Sequence, residues 1–137
     1  MSVTFGRVTT EGRVDVEAFY RRELKRDVPL ESDQEVFAAR DDGIIVAALR
    51  LCPEAGTLLL RTVVVAGDRR GQGIGRTLLG EASAAIGRRE CWCFPWAYLE
   101  RFYGAIGFMR VADSAVPAAL LHRTMPQGIA TIRAATR

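Results

Sequence analysis

Apolar residues alternate loosely with polar ones over residues 3–8, the period of a half-buried strand, and the spacing then becomes helical. Val16, Phe19, Tyr20 and Leu24 recur every three or four positions within residues 14–26, with charged side chains between them, which predicts an amphipathic helix. Pro29 interrupts the pattern, so residues 27–33 are expected as a loop. Residues 34–40 and 44–51 read as two strands joined at Asp41-Asp42-Gly43, a hairpin signal. Pro53 and Gly56 mark residues 51–56 as another turn. A nearly continuous apolar run follows over residues 57–66, interrupted only by Arg61 and Thr62, as in a buried central strand.

Helical spacing returns at Ile74, Leu78, Ala82 and Ile86, and Gly87 supplies a stop. Residues 90–94 are rich in strand formers. Pro95 suits the first turn of a further helix, with Leu99, Phe102, Tyr103 and Ile106 on its apolar face and Gly107 at its end. Residues 108–112 and 122–125 are expected as the last two strands, with a turn or short helix near residues 117–121. The order is strand, helix, three strands, helix, strand, helix, two strands. That predicts an α/β (α+β) fold with a mixed sheet, antiparallel early and locally parallel around residues 69–75.

The composition changes this picture little. A chain of 137 residues with 49% hydrophobic and 26% charged residues suits one globular domain over 1–137. Its apolar runs are too short to span a bilayer, and residues 1–10 hold no apolar leader, so a cytoplasmic protein without a membrane partner is expected. Three cysteines, Cys52, Cys91 and Cys93, do not suggest a disulfide framework. In a strand Cys91 and Cys93 face one side, as buried thiols. With His122 as the only histidine, no metal site is expected. The net charge is +3, and all basic residues but Lys25 are arginines. They are scattered without interleaved aromatics, which argues against a nucleic-acid partner.

One stretch does change the picture. Arg69-Arg70-Gly71-Gln72-Gly73-Ile74-Gly75 lies between a strand-like and a helix-like run. Three glycines at alternate positions let backbone N–H groups converge at a helix start, where the dipole is positive, and Arg69, Arg70 and Arg76 add charge. Such a cradle suits a phosphate or pyrophosphate. The dinucleotide fingerprint fails, because Arg76 stands where its third glycine belongs, and the P-loop fails for want of a lysine before Thr77.

The loop resembles the acyl-CoA signature of the GNAT (Gcn5-related N-acetyltransferase) superfamily: Gln or Arg, two residues, Gly, one residue, Gly or Ala. Arg70, Gly73 and Gly75 match it, after Val63-Val64-Val65 and before Leu78-Leu79. Downstream, Phe102-Tyr103-Gly104-Ala105-Ile106-Gly107-Phe108 is similar to the family's Phe/Leu-Tyr, three residues, Gly-Phe segment. The segment from Asp42 to Ala47 is family-like too, although Ala47 stands where glycine is frequent.

The resemblance implies a mostly antiparallel sheet flanked by helices and splayed between strands 4 and 5. It also implies acetyl-CoA as cosubstrate and an amine of a small molecule or peptide as acceptor, with a homodimer possible by analogy. The pyrophosphate would lie on Arg70, Gly71, Gln72, Gly73, Ile74, Gly75 and Arg76. Main-chain groups near Val63 and Val65 would meet the pantetheine arm, one N–H would polarise the thioester, and Phe102 would pack beside the cofactor. Tyr103 would act as general acid toward the leaving thiolate; the alternative is a core aromatic at helical spacing. The general base stays open among a relayed water, Glu54, Glu100, Cys91 and Cys93, because the fourth strand carries no carboxylate. Arg50 and Arg61 hint at a carboxylate on the acceptor; the alternative is that both are solvated or paired with Asp or Glu. Trp96 stands where many members place an asparagine, and it either lines the acceptor pocket, in a cluster with Trp92 and Tyr98, or packs in the core. A non-catalytic acyl-CoA-binding or sensing module is the alternative function.

Overall fold

The computed structural model describes residues 2–136. Seven strands form one sheet in the order β1-β2-β3-β4-β5-β7-β6. In chain order these are β1 (Val3–Arg7), β2 (Glu35–Asp41), β3 (Ile44–Glu54), β4 (Thr57–Val65), β5 (Cys91–Cys93), β6 (Met109–Val111) and β7 (Ala130–Arg133). Three α-helices accompany them: α1 (Arg13–Leu24), α2 (Ile74–Ile86) and α3 (Glu100–Gly104). Every neighbouring pair is antiparallel except β4–β5, which is parallel. The expected order of elements and the mostly antiparallel α/β sheet are therefore present.

The two faces of the sheet carry separate cores. On one face, α2 buries Ile74, Leu78, Leu79, Ala82 and Ile86 against alternate residues of β3 and β4, including Leu49, Leu51, Leu58 and Leu60. On the other, α1 buries Val16, Phe19 and Tyr20 against Val36, Ala38 and Ala48. Cys91 and Cys93 face the α2 side as free buried thiols, while Trp92 points the opposite way into a small core with Leu59 and Leu120.

Three expectations need correction. The turn expected over residues 51–56 shrinks to Ala55-Gly56, both at positive φ (54° and 76°), and β3 continues through Pro53. Pro53 is tolerated because β2 stops pairing at Leu51, leaving β3 with a partner on one side only. Residues 122–125 are not the last strand. A 3-10 segment, Ala118–Arg123, occupies part of that stretch, and Pro126 follows with no N–H for a ladder. Ala130–Arg133 holds the place instead, with β-branched Thr131 and Ile132 between β5 and β6. Finally, Pro95 does not start a helix. Its carbonyl accepts the Ile129 N–H at 3.0 Å, and a 3-10 turn, Ala97–Leu99, precedes the short α3. Leu99, Phe102 and Ile106 nevertheless pack against the α2-side core.

Candidate active site

The glycine loop is built from backbone. A 3-10 turn, Gly67–Arg69, leads out of β4, and α2 starts directly after Gly73. Gly71 and Gly73 have φ of 80° and 79°, where a side chain is strained although nothing crowds the Cβ position. Gly75 is needed for a different reason. A Cβ there would lie 3.2 Å from Val65 and 3.3 Å from Phe102, so its missing side chain lets α2 close on β4 and α3. No side chain caps α2, and the first helical bond runs from the Thr77 N–H to the Gly73 carbonyl at 3.1 Å. Among the described residues, the N–H groups of 71–76 have no acceptor. They border an open cleft of about 400 Å³ lined also by Val65, Arg70, Arg76 and Phe102. Unpartnered donors at an exposed helix start, with exposed Arg70 and Arg76 beside them, fit a pyrophosphate. Arg69 differs: it binds Asp41 at 2.6 Å, which ties the loop to the end of β2. Gln72 is exposed and does not line the cleft.

β4 carries a feature that periodicity did not predict. Its register against β3 shifts between Ala48↔Val64 and Arg50↔Arg61, and Thr62 takes a left-handed φ of 56°. This is a β-bulge, one extra residue on β4. Leu58 and Leu60 face α2 before it, and Val63 and Val65 face α2 after it. Two side chains hold the bulge: Tyr20 donates its hydroxyl to the Thr62 carbonyl at 2.7 Å, and Arg50 Nε donates to Thr62 Oγ1 at 2.9 Å. The only sequence signal was the polar pair Arg61-Thr62 inside an apolar run.

Beside the bulge, the sheet opens. β4 and β5 pair only at Leu58↔Cys91 and Leu59↔Trp92, so residues 61–65 have no strand on that side and are half-buried. A second cleft, about 360 Å³, lies in the gap between Leu60, Arg61 and Thr62 on one wall and Cys93 and Trp96 on the other. Phe102 borders the loop cleft and its neighbour Tyr103 borders this one, their rings edge to face at 5.0 Å. Tyr103 is 6% exposed, and among the described residues its hydroxyl has no hydrogen-bond partner. Burial, and then the nearby Cys93 and Tyr98, push its phenol above the ordinary 10.0, so it stays protonated at neutral pH.

The general-base candidates fare poorly. Glu54 forms a two-point ion pair with Arg123, which holds its carboxyl below the usual 4.5. Glu100 borders a different depression and lies 3.8 Å from Arg110. Burial pushes the Cys91 thiol up to about 12, and Cys93, which does line the cleft, higher still. Among the described residues, no carboxylate lines the second cleft. A relayed water is the option that remains. Trp96, 43% exposed, is on the cleft wall and not in the core. The expected cluster with Trp92 and Tyr98 is not formed: Trp92 stacks on Phe94 beneath the sheet, and Tyr98 is 82% exposed. Arg26, Arg123 and Met125, also on the cleft, lacked any motif or spacing to announce them.

Comparison with known proteins finds the same fold. The chain resembles the structure of Escherichia coli ElaA, at 15% identity and TM-score 0.75, over 96% of this chain and 99% of that one. An acyl-CoA N-acyltransferase from Pseudomonas aeruginosa aligns at 22% identity and TM-score 0.71, over 97% and 99%. An N-acetylglutamate synthase from Neisseria gonorrhoeae, complexed with coenzyme A and N-acetyl-glutamate, aligns at 14% identity and TM-score 0.70, over all of this chain and 36% of that one. No curated protein matches by sequence. The model of the acetyltransferase (GNAT) domain matches residues 32–110, which include the glycine loop, the splayed strands and the Phe102-Tyr103 pair. This chain belongs to the GNAT superfamily.

Proposed function

We propose that the protein is an acetyl-CoA-dependent N-acetyltransferase that acts on an amine of a small molecule or peptide by direct transfer. One observation carries the reading: two clefts meet at consecutive aromatic residues, Phe102 and Tyr103, one rimmed by unpartnered loop amides and the other by a protonated phenol. The amides of 71–76 hold the pyrophosphate, with Arg70 and Arg76 adding charge. Val65 and Phe102 wall the pantetheine path, and the unpaired edge of β4 near Val63 offers main-chain groups to it. Acetyl-CoA supplies a thioester whose carbon takes the amine's lone pair and whose sulfur departs with the bonding pair. A main-chain N–H of the β4 edge stabilises negative charge on the carbonyl oxygen. Tyr103 gives its hydroxyl proton to the departing sulfur, and the proton lost by the amine nitrogen returns to Tyr103 through water. Carbon–nitrogen replaces carbon–sulfur, and the proton count balances.

That no described carboxylate lines the second cleft favours one rival, an acyl-CoA-binding module without catalysis. Incubation with acetyl-CoA and a panel of amines and amino acids, with free thiol monitored, separates the two. Acceptor-dependent thiol release supports the transferase. A thermal shift with CoA and no release from any amine supports the binding module.

A further inference from the structure

Arg50 and Arg61 stand directly opposite each other on β3 and β4. Like charges in that relation destabilise a sheet. Among the described residues neither forms an ion pair. Arg50, only 6% exposed, is held by neutral groups: Thr62 Oγ1 at 2.9 Å and Gln34 Oε1 at 3.4 Å. The Arg61 guanidinium makes no hydrogen bond to any described residue, and this half-buried side chain lines the second cleft beside Tyr103. Burial first, then Arg50 and Arg123, lower its proton affinity, as befits a cation short of a counter-ion. Arg123 on the same wall is already taken by Glu54, and exposed Arg26 adds positive charge at the rim. Partly desolvated cations are seldom kept without an anion. Here the described residues of the cleft supply none.

We propose that Arg61 seats a carboxylate of the acceptor, so that the acceptor class is amines that also carry a carboxylate. A guanidinium fork matches a carboxylate in two-point geometry, which a neutral carboxamide does not satisfy. Arg50 is a positioning residue: by holding Thr62 it fixes the backbone next to the seat. The field of Arg26, Arg61 and Arg123 draws the anion in and disfavours a protonated amine in the same cleft, which eases the want of a protein base. The inference rests on the transferase reading.

The test compares acetylation of alanine, glutamate and phenylalanine with that of their carboxamides, by wild type, Arg61→Gln and Arg61→Lys. Peptides that begin with Asp or Glu and end in an amide separate a side-chain carboxylate from an α-carboxylate. Wild type should favour the carboxylate form by at least about tenfold in kcat/KM, mostly through KM. Arg61→Gln should erase that preference, with the larger loss in kcat/KM falling on the carboxylate form, and Arg61→Lys should restore part of it. Equal rates for acid and amide in wild type, or a preference untouched by Arg61→Gln, overturns the proposal. Calorimetric titration of CoA-loaded protein with N-acetyl-alanine, N-acetyl-glutamate and their amides needs no chemistry. Carboxylate binding that is lost in Arg61→Gln, without turnover of any amine, leaves the seat standing and removes the transferase reading. Turnover without carboxylate preference does the reverse. Melting curves guard against misfolding: Arg61→Gln should melt no lower than wild type, because it gives up no ion pair and relieves Arg50.

Discussion

The two clefts on either side of Phe102 and Tyr103 are built from different materials. The loop cleft is a backbone device, made by left-handed glycines, an uncapped helix start and N–H groups without acceptors. The second cleft is a side-chain device, with Arg61, Trp96, Tyr103 and Met125 projecting from four separate segments. A backbone device tolerates few sequences, because glycine must stand where φ is positive. A side-chain device is rebuilt by any substitution on its walls. Under the proposed function, the first therefore announces a common donor through spacing, and the second keeps the acceptor private to this chain.

The contrast can be broken experimentally at both ends. Gly73→Glu should have the largest effect, because it strains a φ of 79° and places a carboxylate in the anion cradle; affinity for CoA should fall at least ~100-fold by calorimetry. Retained affinity would show that the loop is not the donor site. Tyr103→Phe should lower kcat by about 100-fold or more while CoA affinity is kept. A fall in both would make Tyr103 a packing residue shared by the two clefts.

The pH profile tests the acceptor side alone. Among the described residues the cleft offers no carboxylate base, and its phenol lies above 10.0. The rate at low acceptor should therefore rise about tenfold per pH unit below the amine's own pKa, and the midpoint should move with the amine. A midpoint common to amines of different pKa would reveal a protein base. Tyr20→Phe removes the hydroxyl that holds the Thr62 carbonyl at 2.7 Å. Denaturant titration should show a loss of about 1–3 kcal/mol, with acceptor KM disturbed more than CoA affinity. The smallest effect separates two neighbours. Arg70→Ala should weaken CoA binding only a few-fold, about 0.5–1 kcal/mol, without changing stability. Arg69→Ala should instead lower the melting midpoint through the lost Asp41 bond.

Much of the fold was legible because burial on two faces imposes periodicity. The α1 and α2 stripes, the Asp42-Gly43 hairpin and the strand at Cys91–Cys93 all appear close to their expected bounds. Legibility failed where tertiary contacts override local preference. Pro95 suits a helix start, yet pairing of Trp96 with Gly128 draws the chain into an extended path. The final strand is chosen by the slot between β5 and β6, not by its own composition. In the candidate site, Arg70, Gly73, Phe102 and Tyr103 were readable because their spacing resembles the family's two segments. Arg26, Arg123 and Met125 were not, since residues from distant segments meet only when the sheet has formed. Gly75 was readable for the wrong reason: its place is governed by contact with Val65 and Phe102.

The extra residue at Thr62 has a consequence for how this protein can be altered. It divides β4 as an insertion divides a reading frame: inward and outward positions exchange parity at that point. Arg61 lies before the division, while Val63 and Val65 lie after it. Substitutions at Arg61 thus leave the register beyond the bulge alone, so that under the proposed function acceptor preference is adjustable independently of the donor path. Deleting Thr62 would close the frame: Arg61 would run straight into Val63, with Val63 and Val65 still toward α2, and the loss would fall on the carbonyl and hydroxyl by which Tyr20 and Arg50 hold this point of β4.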